Sequence, residues 1–343
     1  MIRFWRVFVQ AVVFEAPGKI NIKDIPEPQA GKEDILVKVK AAGLCGTDLH
    51  VYKGDFIASY PIVPGHEFSG EIISAGADVE GFKPGDRVCV DPCVYCGKCD
   101  FCKSDRENFC RDFRAYGLHF NGGFEELVSV SYRNAYQIGS LSFEEGSMIE
   151  PLSCVIHGIK RIGLRAGDEV LIFGCGPIGL MLMQVCKKSG ASRVIMADVS
   201  RKKLETAERL GAGAALLNNG GFEAGLKKLF PFGADVVIDA TGIPQVVQNM
   251  SAHVKDAGKL LFFGVCPPDS RISINPYEVY KRELTIYGTF SLLHDFPSAI
   301  KLLQSGSIDV RSLASHQFSL SEFMQGFNLM LEHGDFLKIL IKP

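Results

Sequence analysis

The sequence predicts an α/β protein of two domains: a β-rich domain first, then a doubly wound sheet of six parallel strands, with the tail returning to the first domain. Two observations predict the doubly wound part. Short apolar runs alternate with helical patterns from Glu169 to about Thr289, placing strands at 170–173, 193–197, 214–217, 235–239, 259–263 and 284–288. The first run, Val170-Leu-Ile-Phe, carries no charge and opens into Gly174-Cys-Gly-Pro-Ile-Gly, a G-x-G-x-x-G turn before a helical stretch from Pro177 to about Lys188. A third observation predicts the β-rich part. Residues 11 to about 155 hold strand-like runs such as Ile35-Leu-Val-Lys-Val and Asp86-Arg-Val-Cys-Val, separated by turn signals such as Pro84-Gly-Asp.

Taken in order, Ala11 to Phe14 reads as the first strand and residues 1 to 10 as an extension before it. That start is basic then apolar, but the apolar run passes through Gln10 straight into Glu15-Ala-Pro-Gly and the small-residue cleavage pattern is poor, so a signal peptide is not expected. No apolar run reaches the length of a membrane span. The domains are expected at 1–155, with a four-cysteine lobe at 93–110, then 156–290, then 291–343. The last segment holds helical patterns at Asp295 to Gln304 and Leu320 to Glu332, and a final strand Lys338-Ile-Leu-Ile. Hydrophobic residues at 47% and charged residues at 22% are those of a globular enzyme, and a net charge of −2 leaves no basic field for nucleic acid or an anionic membrane. Five of the 11 cysteines crowd between Cys93 and Cys110, while Cys175, Cys186 and Cys266 have apolar neighbours. That pattern fits a metal cluster with buried thiols in a reducing cytoplasm better than disulfides.

The glycine turn has a chemical reading. Gly174 permits the tight turn, Gly176 lets backbone approach a pyrophosphate, and Gly179 lets the helix pack on the strand, while the helix N-terminus behind Pro177 and Ile178 offers free N–H groups. Asp198 ends the next apolar run, where an acidic side chain takes ribose hydroxyls. The glycines alone would also suit a methyltransferase-like fold or an unliganded turn; the second strand and its acid favour a dinucleotide. A carboxylate at 198 accepts from a 2′-OH and repels a 2′-phosphate, which favours NAD over NADP, although Arg201, Lys202 and Lys203 follow closely and soften that repulsion.

Two metal sites are expected. Cys96, Cys99, Cys102 and Cys110 are spaced for one tetrahedral zinc, closed by four thiolates and therefore structural. Cys93 is a fifth thiol without a role, and the acidic residues of the lobe argue against a nucleic-acid zinc ribbon. The second constellation is Gly43-Leu-Cys-Gly-Thr-Asp-Leu-His and Pro64-Gly-His-Glu-Phe-Ser-Gly. It offers the Cys45 thiolate, the His66 imidazole and the Glu67 carboxylate, and Glu150 offers another carboxylate. A catalytic zinc needs about three such ligands and one exchangeable position. Cys154 is a possible competitor of Glu150, and His119 and His157 read as packed residues.

These motifs in one collinear order, with C-G-K-C-x-x-C-x7-C, E-P-L-S and G-x-G-P-I-G, resemble the zinc-dependent medium-chain alcohol dehydrogenases, within them the polyol (sorbitol-type) and threonine dehydrogenase branch. The resemblance runs from about Ala11 to the C-terminus. It implies a GroES-like catalytic domain with both zincs and an inserted Rossmann NAD-binding domain. Cys45, His66 and Glu67 or Glu150 would hold the catalytic zinc, since a carboxylate replaces the third cysteine in this branch. Zinc would polarise a substrate hydroxyl for hydride transfer to NAD, with Thr47 and His50 relaying the proton. Phe263, Gly264, Val265, Ile286 and Tyr287 would line the nicotinamide, and Lys203 stands where threonine dehydrogenases carry arginine. A homotetramer or homodimer is implied. The expected substrate is a secondary alcohol, a polyol or polyol phosphate, with Tyr52 or Lys53 holding its polar groups. L-Threonine and butanediol dehydrogenases are the alternatives, and a non-catalytic NAD-binding zinc protein is the reading from another class.

Overall fold

The structure is a computed structural model that describes residues 8–332 and 334–343. Most of the expected N-terminal extension, residues 1–7, lies outside the described residues. The chain divides into two compact units. The first comprises 1–151, 296–305 and 310–343, the second 152–295 and 306–309, against the 155/156 and 290/291 divisions read from sequence.

In the first unit a seven-stranded sheet runs in the order Ala314–Ser319, Lys338–Lys342, Asp34–Gly43, Glu67–Ala75, Arg87–Val90, Ala135–Gln137, with Leu127–Ser131 also paired to Asp34–Gly43. A separate antiparallel pair, Phe8–Ala16 with Lys19–Pro26, lies at the start of the chain. The first strand therefore begins at Phe8 rather than Ala11. Gln10 continues it because its N–H donates to Glu126 Oε2 at 3.0 Å and its carbonyl accepts from Glu126 N at 3.1 Å, so a polar side chain there does not end the ladder. Ile35, Val37, Val39, Phe68 and Ile72 bury one face of the sheet. The Phe323–Leu331 helix sets Phe323, Phe327 and Met330 on its inward stripe, and Phe14 meets Phe327 edge-on at 5.8 Å.

One buried acid in this core has a stability consequence. Glu125 is nearly fully buried, accepts from Asn121 Nδ2 at 3.3 Å through Oε2, and leaves Oε1 without a partner. Burial holds its carboxyl well above the ordinary value. A carboxyl raised in the folded state stabilises only while it stays protonated, so its contribution is lost as pH climbs from the unfolded value through the folded one. Glu125→Gln is expected to gain about 1 kcal/mol at pH 8, about 2–4 °C in Tm, and little near pH 4.5. Equal gains at both pH values in a thermal melt would refute this.

In the second unit six parallel strands run in the order Ala214–Leu217, Arg193–Asp198, Glu169–Phe173, Ala234–Asp239, Val254–Phe262, Thr285–Gly288. This is the doubly wound order of a Rossmann sheet. Val170, Leu171 and Ile172 are fully buried, as a strand covered on both faces requires. The fifth strand begins at Val254, ahead of the expected Lys259. Its start is irregular: pairing jumps from Ala234–Val254 to Val236–Lys259, and Ala257 takes a left-handed φ of 59°. The regular strand pattern in sequence starts only at Lys259 because the backbone of Lys255-Asp-Ala-Gly is locally irregular.

Candidate functional site

The strand Asp34–Gly43 runs into Leu44 and Cys45, and Cys45 begins the Gly46–Lys53 helix. Its N–H donates to Asp48 Oδ2 at 2.9 Å, the reciprocal half of a capping box that holds the cysteine in place. The neighbouring strand starts at Glu67, paired in register with Gly43, so His66 and Glu67 arrive beside Cys45. Donor atoms of Cys45, His66 and Glu67 all lie within 4.8 Å of one another. His66 and Glu67 are buried, as is Asp48, whose Oδ1 stands 3.8 Å from His66 Nδ1. Both of those atoms lack a hydrogen-bond partner.

The surrounding charge is negative. Burial pushes the His66 imidazole down, but Cys45, Asp48 and Glu150 outweigh it and hold it well above its ordinary value. A thiol, an imidazole and a carboxylate sharing one buried point, with orphaned polar atoms behind them, suit a borderline-soft dication such as zinc. Glu150 acts on this group through its field but is not one of the three converging donors. The C-terminal strand adds Lys338, a buried lysine whose Nζ makes an ion pair with Glu67 Oε2. Thr47 Oγ1 lies 3.7 Å from Cys45 Sγ, and His50 Nδ1 lies 2.9 Å from Asp55 Oδ1.

The four cysteines of the lobe also converge. Cys96, Cys99, Cys102 and Cys110 offer sulfurs within 4.8 Å of one another, and all are free thiols. Cys96 and Cys102 sulfurs stand 3.9 Å apart, Cys99 and Cys102 3.5 Å. Thiolates bound to one tetrahedral zinc stand about 3.8 Å apart, so the set fits zinc as it is. Backbone N–H groups of Arg111 and Cys102 pull the Cys99 thiol down to about 6, toward the ligating thiolate.

In the second unit each glycine of the turn has its own constraint. Gly174 has a φ of 101°, a Cβ on Gly179 would strike the Gly174 carbonyl, and a Cβ on Gly176 would meet nothing within 4 Å. The first two hold helix to strand, and the third leaves an open cradle at the N-terminus of the Pro177–Lys188 helix, which suits a pyrophosphate. Asp198 is tied to that turn: Oδ2 accepts from Cys175 N at 2.6 Å and Oδ1 from Ser200 N at 2.7 Å.

Residues 31–140 match the family model "Alcohol dehydrogenase GroES-like domain", and residues 177–305 match "Zinc-binding dehydrogenase". D-Altritol 5-dehydrogenase of Agrobacterium fabrum is 38% identical over 93% of this chain and 95% of its own. D-Arabinitol dehydrogenase 1 of Uromyces fabae is 36% identical over 97% of both. A zinc-binding dehydrogenase of Sinorhizobium meliloti, solved bound to NADP, superposes with a TM-score of 0.93 at 34% identity, covering 98% of this chain and 99% of that one. The chain belongs to the zinc-dependent medium-chain alcohol dehydrogenases. Within them it falls in the polyol and threonine dehydrogenase branch, and it is an enzyme that uses zinc and a nicotinamide cofactor on a small alcohol.

For a dehydrogenase of this family, the remaining expected residues are placed as follows. Ile178 lies in the first turn of the helix behind the glycine cradle, and Lys203 on the Arg201–Arg209 helix next to Asp198. Gly264 N donates to Asp239 O at 2.9 Å, the Phe263 ring packs where a Cβ on Gly158 would fall, and Val265 is 75% exposed. Ile286 and Tyr287 lie on the edge strand Thr285–Gly288, with Ile286 packed on the sheet core. Tyr52 is half-buried, with its ring packed at 5.2 Å from Phe327 and 6.2 Å from Phe14. Lys53 remains exposed on the last turn of its helix.

Sequence reasoning missed a cavity of about 440 Å³ lined by Phe173, Asn218, Phe222, Gln245, Asn249 and His253 among others. Asn218 N donates to the Asp198 carbonyl at 2.8 Å, so the cavity starts one hydrogen bond from the residue expected to hold ribose. No motif marks it, since its walls come from four separated segments. Among the described residues no helix is long and apolar enough to cross a membrane.

Proposed function

We propose that this dehydrogenase oxidises a secondary alcohol of a polyol or polyol phosphate to the ketone, with NAD as the preferred cofactor. The observation that carries the reading is the convergence of Cys45, His66 and Glu67 on one buried point. They would hold a catalytic zinc, and Cys96, Cys99, Cys102 and Cys110 would hold a second, structural one. A zinc held there would supply Lewis acidity toward the substrate hydroxyl, for hydride transfer to NAD. Thr47 would accept the hydroxyl proton while giving up its own toward the cofactor ribose, and His50, partly exposed with Nδ1 anchored on Asp55, would pass that proton on to solvent. The free N–H groups at the glycine turn bind the pyrophosphate, Asp198 the ribose, and the cavity beyond Asn218 takes the adenine end. The polyol class rests on the named activities of the two relatives above.

The same ligands and relay would serve L-threonine or butanediol, so the substrate is decided by assay. Production of NADH by zinc-replete protein is measured against polyols, polyol phosphates, butanediol and L-threonine. Turnover on a polyol is the expected result. Threonine or butanediol as sole substrate would move the enzyme to the sister activity, and tight NAD binding without any turnover would sink the catalytic reading. A homodimer or homotetramer in the cytoplasm belongs to the same proposal. The edge strand Thr285–Gly288, preceded by the exposed Tyr277 and Tyr280, is a surface another copy could cover, and light scattering tests it.

A further inference from the structure

The side chain of Asp239 is fully buried in the second unit and has no part in the ligand, relay or cofactor contacts described above. It ends the strand Ala234–Asp239, which lies between Glu169–Phe173 and Val254–Phe262. Strand order reverses between Glu169–Phe173 and Ala234–Asp239, and a dinucleotide binds outside the carboxyl ends of the strands at such a switch point. A carboxylate only accepts, and this one takes three donors from the turn that follows it. Oδ1 accepts from Thr241 N at 2.9 Å and from Thr241 Oγ1 at 2.6 Å, and Oδ2 accepts from Gly242 N at 3.1 Å. Thr241 Oγ1 in turn accepts from Ile243 N at 3.0 Å.

That turn is packed on both sides. Toward the glycine turn, Ala240 N donates to Phe173 O at 2.8 Å, and a Cβ at Gly174 would stand 3.0 Å from Thr241 Cγ2. Toward the other neighbour, Phe263 N and Gly264 N donate to the Asp239 carbonyl at 3.1 and 2.9 Å. A Cβ at Gly242 would strike the Val265 carbonyl, and one at Gly264 would strike Gly242 N and stand 2.5 Å from Asp239 Oδ2. The turns at 174–176, 240–243 and 263–265 therefore lie in contact, and the middle one is fastened to the Asp239 carboxylate.

A turn at 240–243 without that fastening would sample other arrangements, and the cofactor would bind only the fraction that fits it. We infer that Asp239, with the Thr241 hydroxyl, is a positioning residue that presets the crevice at the switch point, so that a dinucleotide binds without first ordering its rim. Fully buried, Asp239 acts through its turn rather than by touching the cofactor. The inference rests on the dinucleotide reading of the glycine turn, and the test separates the two ideas.

The zinc-replete enzyme is titrated with NADH, and in parallel with NADPH, by the fluorescence of the reduced nicotinamide. Binding of neither to wild type would sink the dinucleotide reading, and this inference with it. Thr241→Val keeps the branched shape and removes the hydroxyl. It is expected to raise the dissociation constant about tenfold, the lower end of what one hydrogen bond to a charged group is worth. Thr241→Ser, which keeps the hydroxyl, restores binding to within about twofold of wild type. Asp239→Asn is expected to weaken binding at least as much as Thr241→Val. Adding Thr241→Val to it then changes affinity by no more than about twofold, because the hydroxyl has already lost its carboxylate. A role confined to folding would lower the melting temperature and leave the affinity of the folded variants unchanged. That result would overturn the inference, as would independent losses from the two substitutions. Should Asp239→Asn not fold, Thr241→Val against Thr241→Ser decides, and equal affinities for that pair would overturn the inference.

Discussion

Cys45→Ala is expected to remove half of the bound zinc and to lower kcat by about a thousandfold or more, because the Lewis acid it anchors contributes several kcal/mol to the barrier. The protein should still fold. Cys45 begins a helix that keeps its other restraints, among them the αL end at Gly54, whose N–H donates to the His50 and Val51 carbonyls. The remaining zinc should stay on Cys96, Cys99, Cys102 and Cys110, whose sulfurs meet independently of residue 45. Zinc analysis beside steady-state kinetics checks both halves. Full zinc content with activity within about tenfold of wild type would remove Cys45 from the site.

Asp198→Asn is expected to cut kcat/KM with NAD by about 10–100-fold, since hydrogen bonds to a charged group are worth about 1.5–3 kcal/mol. With NADP it should rise, because the substitution ends the repulsion between carboxylate and 2′-phosphate and leaves Arg201, Lys202 and Lys203 close by. The asparagine also turns an amide toward either Cys175 N or Ser200 N, which carboxylate oxygens now hold at 2.6 and 2.7 Å. A loss common to both cofactors would therefore mean that the side chain serves only to tie down the turn. The NAD-to-NADP ratio, rather than either rate alone, is the measurement that decides.

The second unit was the more legible half of the chain. Strands buried on both faces are uninterrupted apolar runs, and each of the six expected runs overlaps a strand of the parallel sheet. The first unit was harder to read, because its strands present one face to the core and are paired across long intervals. Residues 8–10 read as part of an extension and proved to belong to the first strand, with Gln10 an interior position. Neither spacing nor motif separated Glu67 from Glu150 as a ligand candidate. The structure brings Glu67 to Cys45 and His66 because Glu67 sits opposite Gly43 in the ladder, a fact of register that no local pattern encodes. Lys338 could not be singled out at all. It lies 271 positions from Glu67 and reads as the first residue of an ordinary strand, and only the sheet order makes them neighbours.

The place of the Lys338–Lys342 strand, between Ala314–Ser319 and Asp34–Gly43, also bears on the timing of assembly. Nascent chains commonly fold domain by domain as they emerge from the ribosome, N-terminal parts first. Here the second unit has its whole sheet once residue 288 has been made, whereas the seven-stranded sheet of the first unit, begun far earlier at Asp34–Gly43, still lacks Ala314–Ser319 and the interior strand Lys338–Lys342. Translation order and maturation order are therefore reversed: the nucleotide unit can finish while the metal pocket is still missing the lysine that neutralises Glu67. Loading of a metal at Cys45, His66 and Glu67 would then be a late, post-translational event, separate in time from the folding of the second unit.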